Sequence, residues 1–190
     1  MARNIRPVVM DFDDLADSTV AKLEHVARLK DRMPALKVTL FAIPAKCSDA
    51  TIAAAKALGD WVALAPHGHA HTLGECYSMT DDEIVEKIEW AASRGIDAPA
   101  FRAPRWILDL GVYEACKRLD YTVADHKDYR ILGTSAKVYT YNKPLRDPAY
   151  TRVHGHLPNV SNNGIAEHFH EFVFPNATEF KFVHEVGASD

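Results

Sequence analysis

Two periods of apolar residues alternate along the chain, one suited to strands and one to helices. Residues Ile5 to Phe12 (IRPVVMDF) form a short apolar run that predicts a buried strand. From Ser18 to Lys30 the apolar positions Val20, Leu23, Val26 and Ala27 recur at helical spacing, with Ser18 or Asp17 as the N-cap. Leu36 to Ile43 predicts a second strand, and Ser48 to Leu58 an alanine-rich helix that stops at Gly59. Trp61 to Ala65 predicts a third strand closed by Pro66. Thr80 followed by Glu83 is a capping-box pattern that opens a helix to about Ser93. Ala98 to Phe101 enters a fourth strand, and Asp109 to Leu119 predicts another helix. Short strands are then expected near Tyr121–Ala124, Lys137–Tyr141, Tyr150–His154 and Phe180–Val186. No internal repeat, low-complexity tract or linker interrupts the series.

Strands and helices in alternation predict parallel strands with helices outside, as a barrel or an open doubly wound sheet. In both, ligands bind at the C-terminal ends of the strands. The polar clusters fall there. Asp13-Asp14 follows the first strand, His67-Gly68-His69-Ala70-His71 the third and Arg102 the fourth. Asp125-His126 follows the fifth, and His154-Gly155-His156 a later one.

The 190 residues suit one domain spanning 1–190, with 47% hydrophobic and 25% charged positions. A net charge of −4, with Lys and Arg scattered, argues against nucleic acid or an anionic membrane as partner. Cys47, Cys76 and Cys116 are far apart and include no CxxC pair, which predicts reduced thiols and not a disulfide framework or thiolate zinc site. No apolar run approaches the ~20 residues that cross a bilayer, and no leader pattern opens the chain, so a cytoplasmic location is expected. Histidine changes the picture. There are ten, and several cluster at i, i+2 spacing: 67/69, 154/156 and 168/170. Histidine is the commonest metal ligand, so a metal site is expected.

His67 and His71, on a helical turn or a tight loop containing Gly68, can aim two imidazoles at one ion, and an Asp carboxylate can complete the protein's share. At a strand end Asp13 and Asp14 can both face a pocket, one to bind the ion and the other to take a proton from water. Asp11 and Asp17 read as no more than loop or cap residues.

The run Asp11-Phe12-Asp13-Asp14 resembles the T-F-D-D signature of the polysaccharide deacetylases (carbohydrate esterase family four, the NodB-homology domain). Ala65-Pro66-His67-Gly68-His69-Ala70-His71 looks like that family's second motif in its H-G-x-x-H variant. Phe101-Arg102-Ala103-Pro104-Arg105-Trp106 resembles the third, and His154-Gly155-His156 stands in the order and setting of the fifth. The matches run in order from about residue 8 to 157. Trp61 to Glu75 and the closing Glu179 to Val183 are similar to a short, phage-associated or uncharacterised bacterial branch. Carried over, the resemblance implies metal ligands Asp14, His67 and His71, a general base Asp13, and Arg102 orienting that base. A histidine of the 154/156 pair would be the general acid, His156 being favoured, with Asp125 as the carboxylate that pairs with it. The metal would polarise an amide carbonyl and acidify water. Three departures stand out: Leu15 replaces the usual Gly, Asp11 the usual Thr, and the fifth motif fits imperfectly. His69 reads as a loop histidine, and His168 and His170 as partly buried helix residues. Trp106 and Tyr77 are candidates for a sugar or acyl pocket wall as well as for the core.

The expectation is thus an α/β fold, a distorted (β/α) barrel of about seven strands of NodB-homology type, binding one divalent ion. Zn²⁺ suits His₂Asp ligation best, and Co²⁺, Ni²⁺ or Fe²⁺ fit the same ligands. The reaction expected is removal of an N-acyl, chiefly N-acetyl, group from an amino sugar or related conjugate, the partner being a small molecule or glycan. A non-catalytic metal- or carbohydrate-binding domain of the same fold is the alternative. A two-metal phosphoesterase is a third, which needs more bridging carboxylates than these motifs offer.

Overall fold

The computed structural model describes residues 7–125, 138–140, 151–160, 177 and 179–186. Strands β1 (Val8–Leu15), β2 (Val38–Ala42) and β3 (Val62–Pro66) alternate with helices α1 (Leu23–Arg32), α2 (Asp49–Lys56) and α3 (Asp81–Ser93). After them come β4 (Ala100–Phe101), α4 (Leu110–Arg118), β5 (Thr122–Asp125), β6 (Val138–Thr140), β7 (Thr151–His156) and β8 (Phe180–Lys181). Among the described residues every ladder is parallel. β3-β2-β1-β7 form one sheet, with β8 pairing the start of β1, and β4-β5-β6 form another. A bridge between His67 and Arg102 links the two, so seven strands run in the order β6-β5-β4-β3-β2-β1-β7. The α/β layout expected from the sequence is present. Among the described residues no ladder joins β6 to β7, so the run is open there. Among them, too, no helix is long and apolar enough to cross a membrane.

Strand parity divides the residues between two faces. Val8, Met10 and Phe12 of β1 point to the helices and share a buried cluster with Leu23, Val26 and Leu29 of α1 and Ile52 of α2. The opposite face carries Val9, then Asp11 and Asp13. Val9 lies in a second cluster with Phe41, Ala65, Ala100 and Ala124, mostly small side chains. Asp11, Asp13, His67 and Arg102 are buried on this same side, nearer the C-terminal strand ends. A third cluster packs α3 and α4 over Phe101 and Val123.

The helix starts follow local chemistry. Ser48 Oγ accepts the Thr51 N–H, Thr80 and Glu83 close a reciprocal capping box, and Asp109 accepts the Val112 N–H at 3.1 Å. The first helix departs from expectation, because neither Ser18 nor Asp17 caps it. A 3₁₀ turn over Asp17–Lys22 leads into α1, and Thr19 takes the local role, accepting the Ala16 N–H and donating to the Asp14 carbonyl. Asp17 reaches across to α2, where Oδ1 accepts Ser48 N–H (2.8 Å), Ser48 Oγ–H (2.8 Å) and Thr51 Oγ–H (2.6 Å). These bonds hold its carboxyl below the ordinary range. At the other end, the strand expected over Phe180–Val186 pairs only through Phe180 and Lys181, and a 3₁₀ turn over Val183–Glu185 follows. His126, His168 and His170 lie outside the described residues.

Candidate active site

Asp13 and Asp14 lie within β1 and not beyond it. The register against β2 shifts between Phe12 and Leu15, so the strand carries a bulge at the two aspartates. Asp14 adopts φ +68, a left-handed conformation that Asp tolerates better than most side chains. Ordinary alternation would send Asp14 to the helix side with Phe12. The bulge instead brings both carboxylates to one place. Leu15 resumes the pattern and is fully buried in the helix-side core, which explains why a leucine serves after the pair.

His67 continues the inward face of β3. Its N–H bonds to the Ala42 carbonyl, and its Nδ1 lies 3.1 Å from the Arg102 carbonyl. A carbonyl only accepts, so Nδ1 carries the proton and Nε2 is left with its lone pair. Nε2 points at the aspartates, 3.6 Å from Asp14 Oδ1 and 3.8 Å from Asp13 Oδ2. Burial outweighs the Asp13 charge and lowers the imidazole's pKa, favouring the neutral form a ligand needs.

His71 arrives by a tight loop, not a helix. Gly68 has φ +61 and His71 φ +59, and the loop brings His71 Nε2 to 3.3 Å from Asp14 Oδ1. The loop is built around Glu75, a buried residue unnoticed in the sequence. Its carboxylate accepts the N–H groups of His69 (2.5 Å), Ala70 (3.1 Å) and Thr72 (3.0 Å), and the Thr72 hydroxyl. A side chain on Gly68 would run into Glu75 Oε1 and the Pro104 ring. His69 turns away and packs edge-on against Trp90 at 5.1 Å between ring centroids, apart from Asp14, His67 and His71.

Arg102 is fully buried, its guanidinium 4.1 Å from the Phe41 ring centroid and 4.3 Å from that of Trp106. Arg105 and Trp106 both have left-handed backbones (φ +55 and +59), and this turn lays the indole over the arginine. Nη1 donates to Asp13 Oδ1 at 2.5 Å and to Asp11 Oδ1 at 2.6 Å. Asp11 therefore belongs to the site, which its motif position did not suggest. Burial opposes its ionisation, but Arg102 beside it and the bond from His154 hold its carboxyl below the ordinary range.

β7 pairs with β1 in a register that sets His154 against Asp11 and His156 against Asp13. Both histidines share the inward face, as their parity in the sequence predicts. His154 Nδ1 is 2.8 Å from Asp11 Oδ1, its Nε2 is 3.9 Å from Asp13 Oδ2, and Trp106 packs on its ring at 5.2 Å. His156 lies 4.7 Å from the His154 ring centroid. Asp125 ends β5, but its side chain lies outside the described residues. Tyr77, the other candidate wall residue, is exposed on the turn after the histidine loop.

Asp14, His67 and His71 bring a carboxylate oxygen and two imidazole nitrogens within 4.8 Å of one another. Hard oxygen plus neutral nitrogen suits a borderline divalent ion, and the tie of His67 Nδ1 to a carbonyl is the support that ligating histidines commonly have. The donor set fits a cation. Asp13, His154 and His156 also bring ligand atoms together. There, however, a guanidinium nitrogen 2.5 Å from Asp13 already supplies the positive charge.

The fold is similar to that of several solved family 4 carbohydrate esterases. The Xyl-CE4 domain of a multidomain xylanase from the hindgut metagenome of Trinervitermes trinervoides is similar at a TM-score of 0.53 and 18% identity, over 94% of this chain and 97% of that one. A family 4 acetyl xylan esterase from Clostridium thermocellum, in complex with a cobalt ion, is similar at 0.61 and 16%, over 95% and 90%. The chitin deacetylase of Colletotrichum lindemuthianum is similar at 0.61 and 15%, over 97% and 89%. A family pseudoenzyme from Bacillus anthracis is similar at 0.66 and 11%, over 96% of this chain and 65% of that one. No protein-family model and no curated protein matches the sequence. Because the fold occurs with and without activity, function has to be argued from side chains.

Proposed function

We propose that this chain is a metal-dependent deacetylase that hydrolyses an N-acyl, chiefly N-acetyl, group on an amino sugar or related conjugate. The observation that carries this reading is the position of Asp13. One of its oxygens is held by Arg102 at 2.5 Å, and the other lies 3.8 Å from Nε2 of His67, beside the Asp14–His67–His71 cluster. A base is thus fixed next to a cation site without being consumed by it.

Asp14, His67 and His71 would hold the ion, which when bound supplies Lewis acidity to the acyl carbonyl and to water. Arg102 holds one oxygen of Asp13 and so presents the other to the attacking water as proton acceptor. Trp106 and Phe41 keep water off the guanidinium, which strengthens its hold on the carboxylates. A histidine of β7 delivers a proton to the departing amine. Asp14 and His71 are each about a quarter exposed, so ion and substrate enter from their side. The cobalt in the Clostridium esterase supports a divalent ion without selecting which one, and zinc is our choice for this donor set.

The test is acetate release from a panel of N-acetylated sugars with added Zn²⁺ or Co²⁺, beside Asp13→Asn. Metal-dependent release that falls at least a hundredfold in the variant is expected. An ion bound without release from any sugar would support the binding-domain alternative, in line with the Bacillus pseudoenzyme. Counting the ions bound per chain addresses two-ion chemistry, since a second equivalent would overturn the single-site assignment.

A further inference from the structure

We infer that Asp11 is a positioning residue acting through His154, which makes His154, rather than His156, the proton donor to the leaving amine. This assignment of roles rests on the hydrolase reading above, whereas the pairing itself rests on geometry alone.

Three atoms decide the matter. Asp11 Oδ1 lies 2.6 Å from Arg102 Nη1 and 2.8 Å from His154 Nδ1, and the two nitrogens are 3.2 Å apart. The buried Asp11 carboxylate, ionised beside Arg102, has no proton to give, and arginine has no lone pair to offer. Nδ1 therefore carries the hydrogen. An unprotonated Nδ1 would face the carboxylate lone pairs at 2.8 Å, with nothing between them. The 3.2 Å separation is simply that of two donors converging on one oxygen.

With Nδ1–H committed, Nε2 is the nitrogen that gains and loses the working proton, and it faces the base, 3.9 Å from Asp13 Oδ2. The parallel register makes this arrangement, because Asp11 and His154 are direct neighbours on the inward face. Trp106 packs edge-on against the His154 ring, 5.2 Å between centroids. For His156, by contrast, no hydrogen bond fixes the ring among the described residues. In the step itself the proton that Asp13 took from water passes to Nε2, 3.9 Å away. The acyl C–N bond breaks, its electron pair stays on nitrogen, and that nitrogen takes the Nε2 proton, which leaves Asp13 and His154 as they began.

The experiment compares two substrates. Amide cleavage, read on tri-N-acetylchitotriose, needs a proton on its amine, whereas 4-nitrophenyl acetate releases a stable phenolate without one. Asp11→Asn should lower kcat on the amide about 10–100-fold with little change in KM, and lower the aryl ester rate no more than about threefold. In a His154→Ala background Asp11→Asn should add nothing further. Equal losses on both substrates, or losses that multiply in the double variant, would overturn the proposal. ¹⁵N imidazole spectra of the metal-free wild type give a readout without turnover. An Nδ1–H tautomer at His154 is expected, and an Nε2–H tautomer refutes the pairing. Wild type inert on both substrates but with Nδ1–H at His154 would uphold the pairing and overturn the hydrolase reading.

Discussion

Replacing Glu75 by alanine removes the carboxylate around which the His67–His71 loop is wound. Three backbone N–H groups, those of His69, Ala70 and Thr72, then lose their acceptor at once. Fully buried orphan donors cost about 1–3 kcal/mol each. The loop is open on the His71 side, so the low end applies, giving about 3 kcal/mol in all. For a domain of this size that corresponds to a fall in Tm of about 6–12 °C. The effect on ion binding should be larger than its effect on stability suggests. His71 takes its left-handed backbone from this loop and touches Asp14 only because of it. Loss of such support typically weakens metal affinity 10–100-fold. Thermal melting of the metal-free protein and titration with Zn²⁺ measure the two effects separately. Glu75→Gln should fall between, since one oxygen can still accept while the new amide faces donors. A Glu75→Ala protein that melts and binds Zn²⁺ like the wild type would refute the reasoning.

Gly68→Ala should be worse than an ordinary surface change, because a left-handed residue gains a side chain aimed at Glu75 and Pro104. A loss above about 1 kcal/mol, with weakened Zn²⁺ binding, is the outcome to look for in the same assays. Arg102→Met leaves Asp11 and Asp13 buried without their cation, which predicts a loss of about 3–5 kcal/mol by urea denaturation. Such a variant should recover part of that loss at low pH, where the carboxylates can protonate. For His67 the folded pKa lies below the ordinary histidine value of 6.5, so the unfolded chain binds the proton more readily. Its contribution to stability is then full above that value and declines as pH falls from it toward the folded pKa. The Tm of the metal-free protein should drop over this acidic range, and His67→Asn should flatten the slope.

What could be read from the sequence was whatever is encoded within a few residues. The Thr80–Glu83 box and the helix stop before Gly59 are local choices of the chain within a few residues, and both hold. Strand ends and the polar clusters at them were equally visible. Partnerships across the sheet were not. Asp17 looks like a cap for the helix beside it, yet its acceptor capacity goes to α2, some thirty residues on. Asp11 was read as a loop residue, although parity with Asp13 already placed both on the face opposite Phe12. What parity cannot reveal is which strand lies alongside, and so the approach of His154 was hidden. Glu75 was overlooked for another reason. Its bonds are near in sequence, but they follow no helical or strand period, so no pattern announces them.

The bulged end of β1 and the turns at His71 and Trp106 separate two kinds of construction. Asp13, Arg102 and His154 each stay in register with a neighbouring strand, held by ladder and core, whereas Asp14 and His71 sit on left-handed backbone at the rim. A protein stripped of its ion would thus keep its proton-handling apparatus assembled and would relax only around the mouth. Reloading becomes a small local event, and the rim can be reshaped for a different ion or a bulkier ligand while the apparatus beneath it stays as it was.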